Sequence, residues 1–133
     1  ETVNEDGSFR NIVHIDERLD YKKFLKKPPT CSHTIMFDTE LVDKKALVMP
    51  DIRKRQDAAT WLQVIKLYGC LHGFDEVLAA NRKRSDSLSA NKVSAVKGTW
   101  FLYTEIEGLS KPYAGYCLFW QMFHAVLKRI GKR

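Results

Sequence analysis

The sequence predicts one α/β domain with a few short strands in its first part and a mainly helical second half. Short runs of β-forming residues lie in the first third of the chain. Apolar residues recur at helical spacing from Gln56 to Tyr68. Two further helical patterns run from Ser89 to Glu107 and from Tyr113 to Ile130, separated by the breaker sequence GLSKP.

Composition sets limits on the class of protein. With 133 residues, 44% hydrophobic and 29% charged, the chain has the size and balance of one globular domain. A net charge of +6 favours anionic partners. Three cysteines without a C-x-x-C pair argue against a disulfide framework, and no segment approaches the ~18 continuous apolar residues of a membrane span. We therefore predict a cytoplasmic protein.

The first elements follow from local patterns. Polar residues 1 to 10 predict a frayed entry, and the apolar alternation from Ile12 to Ile15 predicts a short strand. A basic amphipathic stretch from Tyr21 to Leu25 predicts a short helix, which Pro28 stops.

The middle of the chain combines β-forming and helical patterns. The sequence TIMF at Thr34–Phe37 predicts a core strand, followed by a turn or short helix near Asp43–Lys45. Gln56–Tyr68 is predicted as a helix that ends at Gly69, because glycine commonly follows the last helical residue. The pattern of residues 74–81 is compatible with a strand or a short helix.

The last predicted helix is unusually apolar. Its polar residues form a narrow stripe of Gln121, His124 and Lys128. Such a helix needs cover on most of its surface, either by the core or by a membrane that its aromatic face meets. In the second case the helical tail 99–133 makes peripheral membrane contact through residues 113–133, with the basic end near anionic headgroups.

The most informative stretch for chemistry is MPDIRKRQDAATWLQVIK. It places the carboxylate of Asp57 at the start of a helix, directly behind Arg53, Lys54 and Arg55. An aspartate in a first helical turn is also a favourable charge against the helix dipole, and this explanation stays open.

Three segments resemble the bacterial family 2 glycosyltransferases of the GT-A fold. RKRQDAATWL looks like the motif that opens the acceptor-site helix, LDYKKFLKKPPTCSHTIMFDTELV is similar to a preceding segment, and EVLAANRKRSDSLSANK resembles a loop near the diphosphate. The resemblance implies that Asp57 is the catalytic base of an inverting sugar transfer. It also implies that Arg55, Gln56 and Trp61 contact substrate, with a core role as the alternative for Trp61.

The same resemblance assigns substrate contacts to the loop that follows residue 81. Arg82, Arg84, Ser87 and Ser89 match family positions whose donors neutralise the leaving diphosphate. Two positions depart from the pattern: Asn81 stands where the family usually has a tyrosine, and Arg84 stands where it often has a histidine, and an arginine does not ligate a metal ion. A solvated basic loop is the alternative.

The resemblance covers only the acceptor side of the family. The 133 residues contain no Asp-x-Asp motif, and the family's nucleotide-binding half is absent. We therefore expect a single partial domain over residues 1–133, part of a longer protein and inactive alone. In the parent enzyme we expect Mg²⁺ or Mn²⁺ to have its ligands outside this chain, and we expect no metal site within it.

The implied partners are a nucleotide-sugar donor and a saccharide or lipid-linked acceptor in lipopolysaccharide or capsule synthesis. Homo-oligomerisation is a further expectation, because the missing half leaves apolar surface uncovered. The alternative is a non-catalytic module that binds through its basic segments or docks on a membrane. We expect no nucleic acid, because the aromatic residues lie mostly in the apolar helices, away from the cations.

Overall fold

A computed structural model describes residues 1–28, 32–83 and 92–130, with side chains as far as residue 127. The described part is mixed helix and strand, as predicted, with short strands and long helices in its second half. The strands are β1 (Thr2–Val3), β2 (Phe9–Asn11), β3 (Arg18–Asp20), β4 (Cys70–His72) and β5 (Asn81–Arg82). The helices are α1 (Tyr21–Lys26), α2 (Gln56–Tyr68), α3 (Lys92–Phe101), a π turn (Leu102–Ile106) and α4 (Lys111–Ile130), with 3₁₀ turns at Ser32–Thr34 and Lys44–Leu47.

The strands form two small sheets. Strand β1 pairs antiparallel with β2 and parallel with β5, and β3 pairs antiparallel with β4. The predicted frayed entry is therefore wrong. The turn between β1 and β2 closes through a hydrogen bond from the Asn4 amide to the Ser8 carbonyl, and Gly7 supplies the positive φ of 86° that this turn uses.

Two predicted strands are also wrong. Residues 12–15 form an irregular connection between β2 and β3. At Thr34–Phe37 the burial alternates as in a strand, because Ile35 and Phe37 pack against the core while Met36 is 94% exposed. No described strand pairs with this segment, so the side-chain pattern is present without the ladder. Residues 74–80, compatible with either element, form neither, and the chain enters β5 at Asn81.

The α2 prediction is confirmed at both ends. Gly69 follows the helix with φ 96°, and its amide donates to the Ile65 carbonyl at 2.8 Å. One face of α2 is buried almost completely, and its Trp61 ring meets Phe24 of α1 edge-on at 6.0 Å between centroids. This face is the centre of the core. The short helix α1 and the turn that begins after Asp43 are confirmed as well.

The predicted helix from Ser89 to Glu107 is confirmed in its described part, but it changes repeat. Helix α3 ends at Phe101 and the backbone continues as the π turn, closed by a hydrogen bond from the Glu107 amide to the Leu102 carbonyl at 2.9 Å. The π turn places Tyr103 inside the core and Glu107 against α1 and α2.

The C-terminal end of α1 is held by two side chains from distant elements. The Tyr103 hydroxyl donates to the Leu25 carbonyl at 2.6 Å, and the Gln121 amide donates to the same carbonyl at 3.0 Å. Gln121 also donates to the Tyr103 hydroxyl. Because Leu25 is fully buried, this carbonyl has no access to water and depends on these donors.

The contact of Gln121 sets the rotation of α4. Ala114 and Cys117 lie two turns and one turn before Gln121, respectively, on the same side of the helix, and both are fully buried against the core. The large apolar residues of α4 therefore point away from the core, with exposures of 43–59% at Tyr116, Phe119, Met122, Phe123, Val126 and Leu127. Gln121 of the predicted polar stripe therefore faces inward, and the core contacts the small residues of this helix.

Glu107 forms a second link between elements. Its side chain is 2% exposed, accepts a hydrogen bond from the Tyr21 hydroxyl of α1 and pairs with Lys66 of α2 at 3.1 Å. Burial, together with the neighbouring carboxylate, raises the pKa of Tyr21 well above its usual value. Burial likewise raises the pKa of Tyr103.

We predict that Tyr103→Phe and Gln121→Met are more destabilising together than the sum of the single variants. Each single variant leaves one donor on the Leu25 carbonyl, whereas the double variant leaves a buried acceptor unsatisfied, which costs about 1–3 kcal/mol. Urea denaturation of the four proteins measures the coupling. Gln63→Met, on the exposed face of α2, should change stability by less than about 0.5 kcal/mol. Additive effects would show that the two donors act independently.

We also expect stability to fall as the pH rises above the tyrosine pKa of the unfolded chain, about 10. Tyr21 and Tyr103 keep their protons in the folded state after the unfolded chain has lost them, so the unfolded state binds fewer protons and gains stability. Denaturation midpoints measured from pH 8 to pH 11, roughly the window in which free tyrosine ionises, test this expectation. The slope should be smaller in Tyr21→Phe, and an unchanged slope would contradict the assignment.

Candidate functional site

The candidate site is built around the first turn of α2. The N-cap residue is Arg55, which adopts φ 65° and ψ 18° and makes no side-chain cap. It is the one non-glycine residue with positive φ in the described ranges 1–28, 32–83 and 92–130. Such a conformation is strained for a residue with a β-carbon, and strain of this kind concentrates at functional positions.

Asp57 lies two residues further along, with a half-buried carboxylate that two groups hold. The Ser32 hydroxyl donates to Oδ2 at 2.6 Å, and the Ala58 amide donates to Oδ1 at 2.7 Å. The first contact joins the 3₁₀ turn after residue 31 to the start of α2. A carboxylate fixed in this way keeps unoccupied lone pairs that can accept a proton from a ligand. The positioning role of Ser32 has no sequence signal, because 25 residues separate it from Asp57.

An open cleft of about 570 Å³ lies between the chain just before Arg55 and helix α3. Three cations line it, against one carboxylate, and Phe101 supplies an apolar wall. Lys54 reaches across to donate to the Ser94 hydroxyl. The cleft therefore has the charge to hold an anionic group and the ring to contact a sugar or another apolar surface. Its charged and polar lining residues are Asp51, Arg53, Lys54, Ser94 and Lys97.

Gly98 brings α3 close to this segment. A β-carbon at Gly98 would stand 3.4 Å from the Lys54 β-carbon and 3.7 Å from the Arg55 γ-carbon. The missing side chain lets the helix backbone lie directly against the two residues before α2. The α3 wall, with Ser94, Lys97 and Phe101, was not identified from the sequence, because its residues are about 40 positions from the motif.

The structure describes some of the other residues that were assigned to the site from the sequence. Arg55 and Gln56 are half-buried at the helix start beside Asp57. Trp61 is 6% exposed in the core, so the core role that the sequence left open accounts for it. Arg82 is exposed on β5. Arg84, Ser87 and Ser89 lie outside the described residues.

Metal-ligating groups do not assemble in the described part of the chain. Cys70 and His72 approach each other at 3.6 Å on β4. Across the described ranges, no group of three or more His, Cys, Asp or Glu residues has the geometry to hold a metal ion.

Comparison with known proteins gives one informative match. The chain is 39% identical over 127 residues to a protein of Bacillus subtilis (strain 168) named "Putative teichuronic acid biosynthesis glycosyltransferase TuaG". The match covers 95% of this chain and 50% of that protein, so the chain spans about half the length of its relative. No family model and no solved structure matches the chain.

We predict that Arg55→Gly is more stable than Arg55→Ala by about 1 kcal/mol, because glycine adopts the left-handed conformation without the steric cost that alanine meets. Thermal or urea unfolding of the two variants measures the difference. The same pair at Gln63, inside α2, provides the matched control. There the order should reverse, with alanine more stable by about 1 kcal/mol. Equal stabilities at position 55 would contradict the strained cap.

Proposed function

We propose that this chain is the acceptor-side part of an inverting family 2 glycosyltransferase of the GT-A fold. The enzyme would transfer a sugar from a nucleotide-sugar donor to a growing cell-envelope polysaccharide. One observation carries the proposal, which is the 39% identity over 127 residues to a relative whose name states glycosyltransferase. The arrangement around Asp57 supports it, because this carboxylate is held at a helix start beside a cationic cleft.

In the proposed reaction Asp57 is the general base. An acceptor hydroxyl attacks the anomeric carbon of the donor sugar from the face opposite the diphosphate. The new C–O bond forms as the bond to the diphosphate oxygen breaks, and the hydroxyl proton passes to a carboxylate oxygen of Asp57. Configuration at the anomeric carbon inverts. Ser32 and the Ala58 amide keep the carboxylate oriented while it accepts the proton.

The cationic cleft gives the acceptor a binding place in this proposal. Arg53, Lys54 and Lys97 would pair with an anionic group of the acceptor, such as a sugar carboxylate or the phosphate of a lipid-linked saccharide. Phe101 would contact the sugar ring. Arg55 and Gln56, at the helix start, would orient the reacting hydroxyl.

The divalent cation of the proposed parent enzyme has no candidate site among residues 1–28, 32–83 and 92–127. The described chain has no cluster of three metal-ligating side chains, and the sequence has no Asp-x-Asp motif. The cation and the nucleotide would therefore be held by the part of the enzyme that lies outside these residues.

The alternative of a non-catalytic docking module rests on the exposed aromatic face of α4. That face and the Asp57 site are separate features, so membrane docking and catalysis are compatible in one protein. The enzyme would work at the cytoplasmic side of the membrane, where nucleotide sugars are made.

We expect Asp57→Asn to lower turnover by about 10²–10⁴-fold in the protein that contains both halves, because it removes the general base. Donor affinity should stay nearly unchanged. Release of nucleoside diphosphate from a panel of nucleotide sugars, with membrane-extracted acceptor, measures turnover. Glu105→Gln, at an exposed carboxylate on the π turn, is the matched control and should keep normal activity. Normal turnover in Asp57→Asn would remove this residue from the mechanism.

Arg82→Ala should weaken binding of a nucleoside diphosphate in the same protein by roughly tenfold, because a charge-assisted donor is lost. Binding of the bare nucleoside is the control and should hardly change. Isothermal titration with the two ligands separates the effects. An equal loss for both ligands would indicate that Arg82 acts on structure rather than on phosphate.

A further inference from the structure

The outward side of α4 is a continuous apolar surface, which we call the aromatic face. It consists of the exposed residues Tyr116, Phe119, Met122, Phe123, Val126 and Leu127. These positions recur at three- and four-residue intervals and so lie on one side of the helix. From Pro112 to Leu127 the sequence contains no aspartate, glutamate, lysine or arginine. A surface of this size and composition indicates an interaction site.

The aromatic rings of α4 contact one another along the helix. Phe119 and Phe123 stack at 6.3 Å between centroids, and Trp120 meets Phe123 edge-on at 5.5 Å. The core does not use this surface, because Gln121 and its buried neighbours hold the opposite side of the helix. The rotation of α4 therefore presents aromatic rings outward while the core is already closed.

Lysines border the aromatic face on the side of α1. Lys26 places its ammonium 5.8 Å from the centre of the Tyr116 ring. Lys22 lies one helical turn before Lys26 on the same side of α1 and is exposed. Within the described residues, neither lysine forms an ion pair. No residue of α1, or of α4 as far as Leu127, is a carboxylate.

This charge pattern distinguishes between the two kinds of partner that could cover the aromatic face, a second copy of the chain and a lipid surface. A second copy meeting the face about a two-fold axis would bring its own lysines to the same border without a counter-charge. An anionic lipid surface supplies a partner for both features: acyl chains contact the aromatic face, and anionic headgroups pair with Lys22 and Lys26. In the described part of the chain no helix is long and apolar enough to cross a membrane.

We propose that α4 docks on an anionic membrane surface, lying parallel to it with the aromatic face at the acyl boundary and Lys22 and Lys26 among the headgroups. Tyrosine, tryptophan and lysine are the residues that occupy this depth in membrane proteins. The proposal does not depend on catalysis. Its failure would leave the proposed glycosyltransferase activity untouched, and the reverse also holds.

Sedimentation with lipid vesicles tests the apolar part of the proposal. The protein that contains both halves should bind vesicles of phosphatidylcholine with about one-third phosphatidylglycerol, and bind pure phosphatidylcholine at least about tenfold more weakly. Phe119→Ser/Phe123→Ser should lower binding to the anionic vesicles by at least about tenfold. Phe74→Ser is the matched control, because Phe74 is 67% exposed on another part of the surface. An equal loss in the control would overturn the proposal.

A second pair of variants tests the charged border. Lys22→Gln/Lys26→Gln should weaken binding to the anionic vesicles by roughly fivefold per lysine. Lys44→Gln/Lys45→Gln removes the same charge from the exposed turn Lys44–Leu47 and should have a smaller effect. Equal effects of the two pairs would show that net charge alone drives binding, and would overturn the assigned orientation.

A measurement without variants covers the case in which a substitution unfolds the protein. Tryptophan fluorescence of the unmodified chain should be quenched by brominated phospholipid in the anionic vesicles, because Trp120 borders the aromatic face. Absence of quenching, or absence of vesicle binding, would overturn the proposal. So would a dimer in analytical ultracentrifugation that buries α4 and that vesicles do not dissociate.

Discussion

The carbonyl group of Leu25 is the constraint on which the arrangement of the helices depends. Helix α1 has six residues, so most of its carbonyl groups lie in its last turn and lack a partner within the helix. Leu25 is fully buried, and its carbonyl must find donors inside the protein. Tyr103 from the π turn and Gln121 from α4 supply them. One acceptor thereby fixes the positions of three elements.

The sequence was sufficient to predict α2 and the extents of α1 and α4, because periodicity and end signals are local. It was not sufficient for the rotation of α4. Helical periodicity marks the large aromatic residues as the side to bury, whereas the buried side carries Ala114, Cys117 and Gln121. A distant carbonyl overrides the local pattern. The strand predicted at Thr34–Phe37 failed for a related reason, since alternating burial does not provide a pairing partner.

The candidate site also has a part that the sequence predicts and a part that it does not. The start of α2 and the place of Asp57 in it follow from neighbouring residues, and the structure has them where the sequence predicted. Ser32 and the α3 wall of the cleft come from 25 or more positions away, and only the folded chain brings them to this helix start. Arg55, with its strained backbone, lies between Lys54, which contacts α3, and the Asp57 site. It turns the chain sharply enough for Lys54 to face α3 while Asp57 faces Ser32.

The position of the α3 side chains in the cleft depends on the number of residues in the π turn. Helix α3 runs into this turn without a break. Tyr103 lies at the second position of the turn, and Glu107 directly follows it. Loss of one residue between Tyr103 and Glu107 would return the backbone to the α repeat and rotate α3, together with Tyr103, by about 100° about the helix axis relative to Glu107. Lys97 and Phe101 would then leave the cleft, although every chemical group in it would still be encoded. The shape of the cleft therefore depends on the number of residues in the π turn as well as on the side chains that line it.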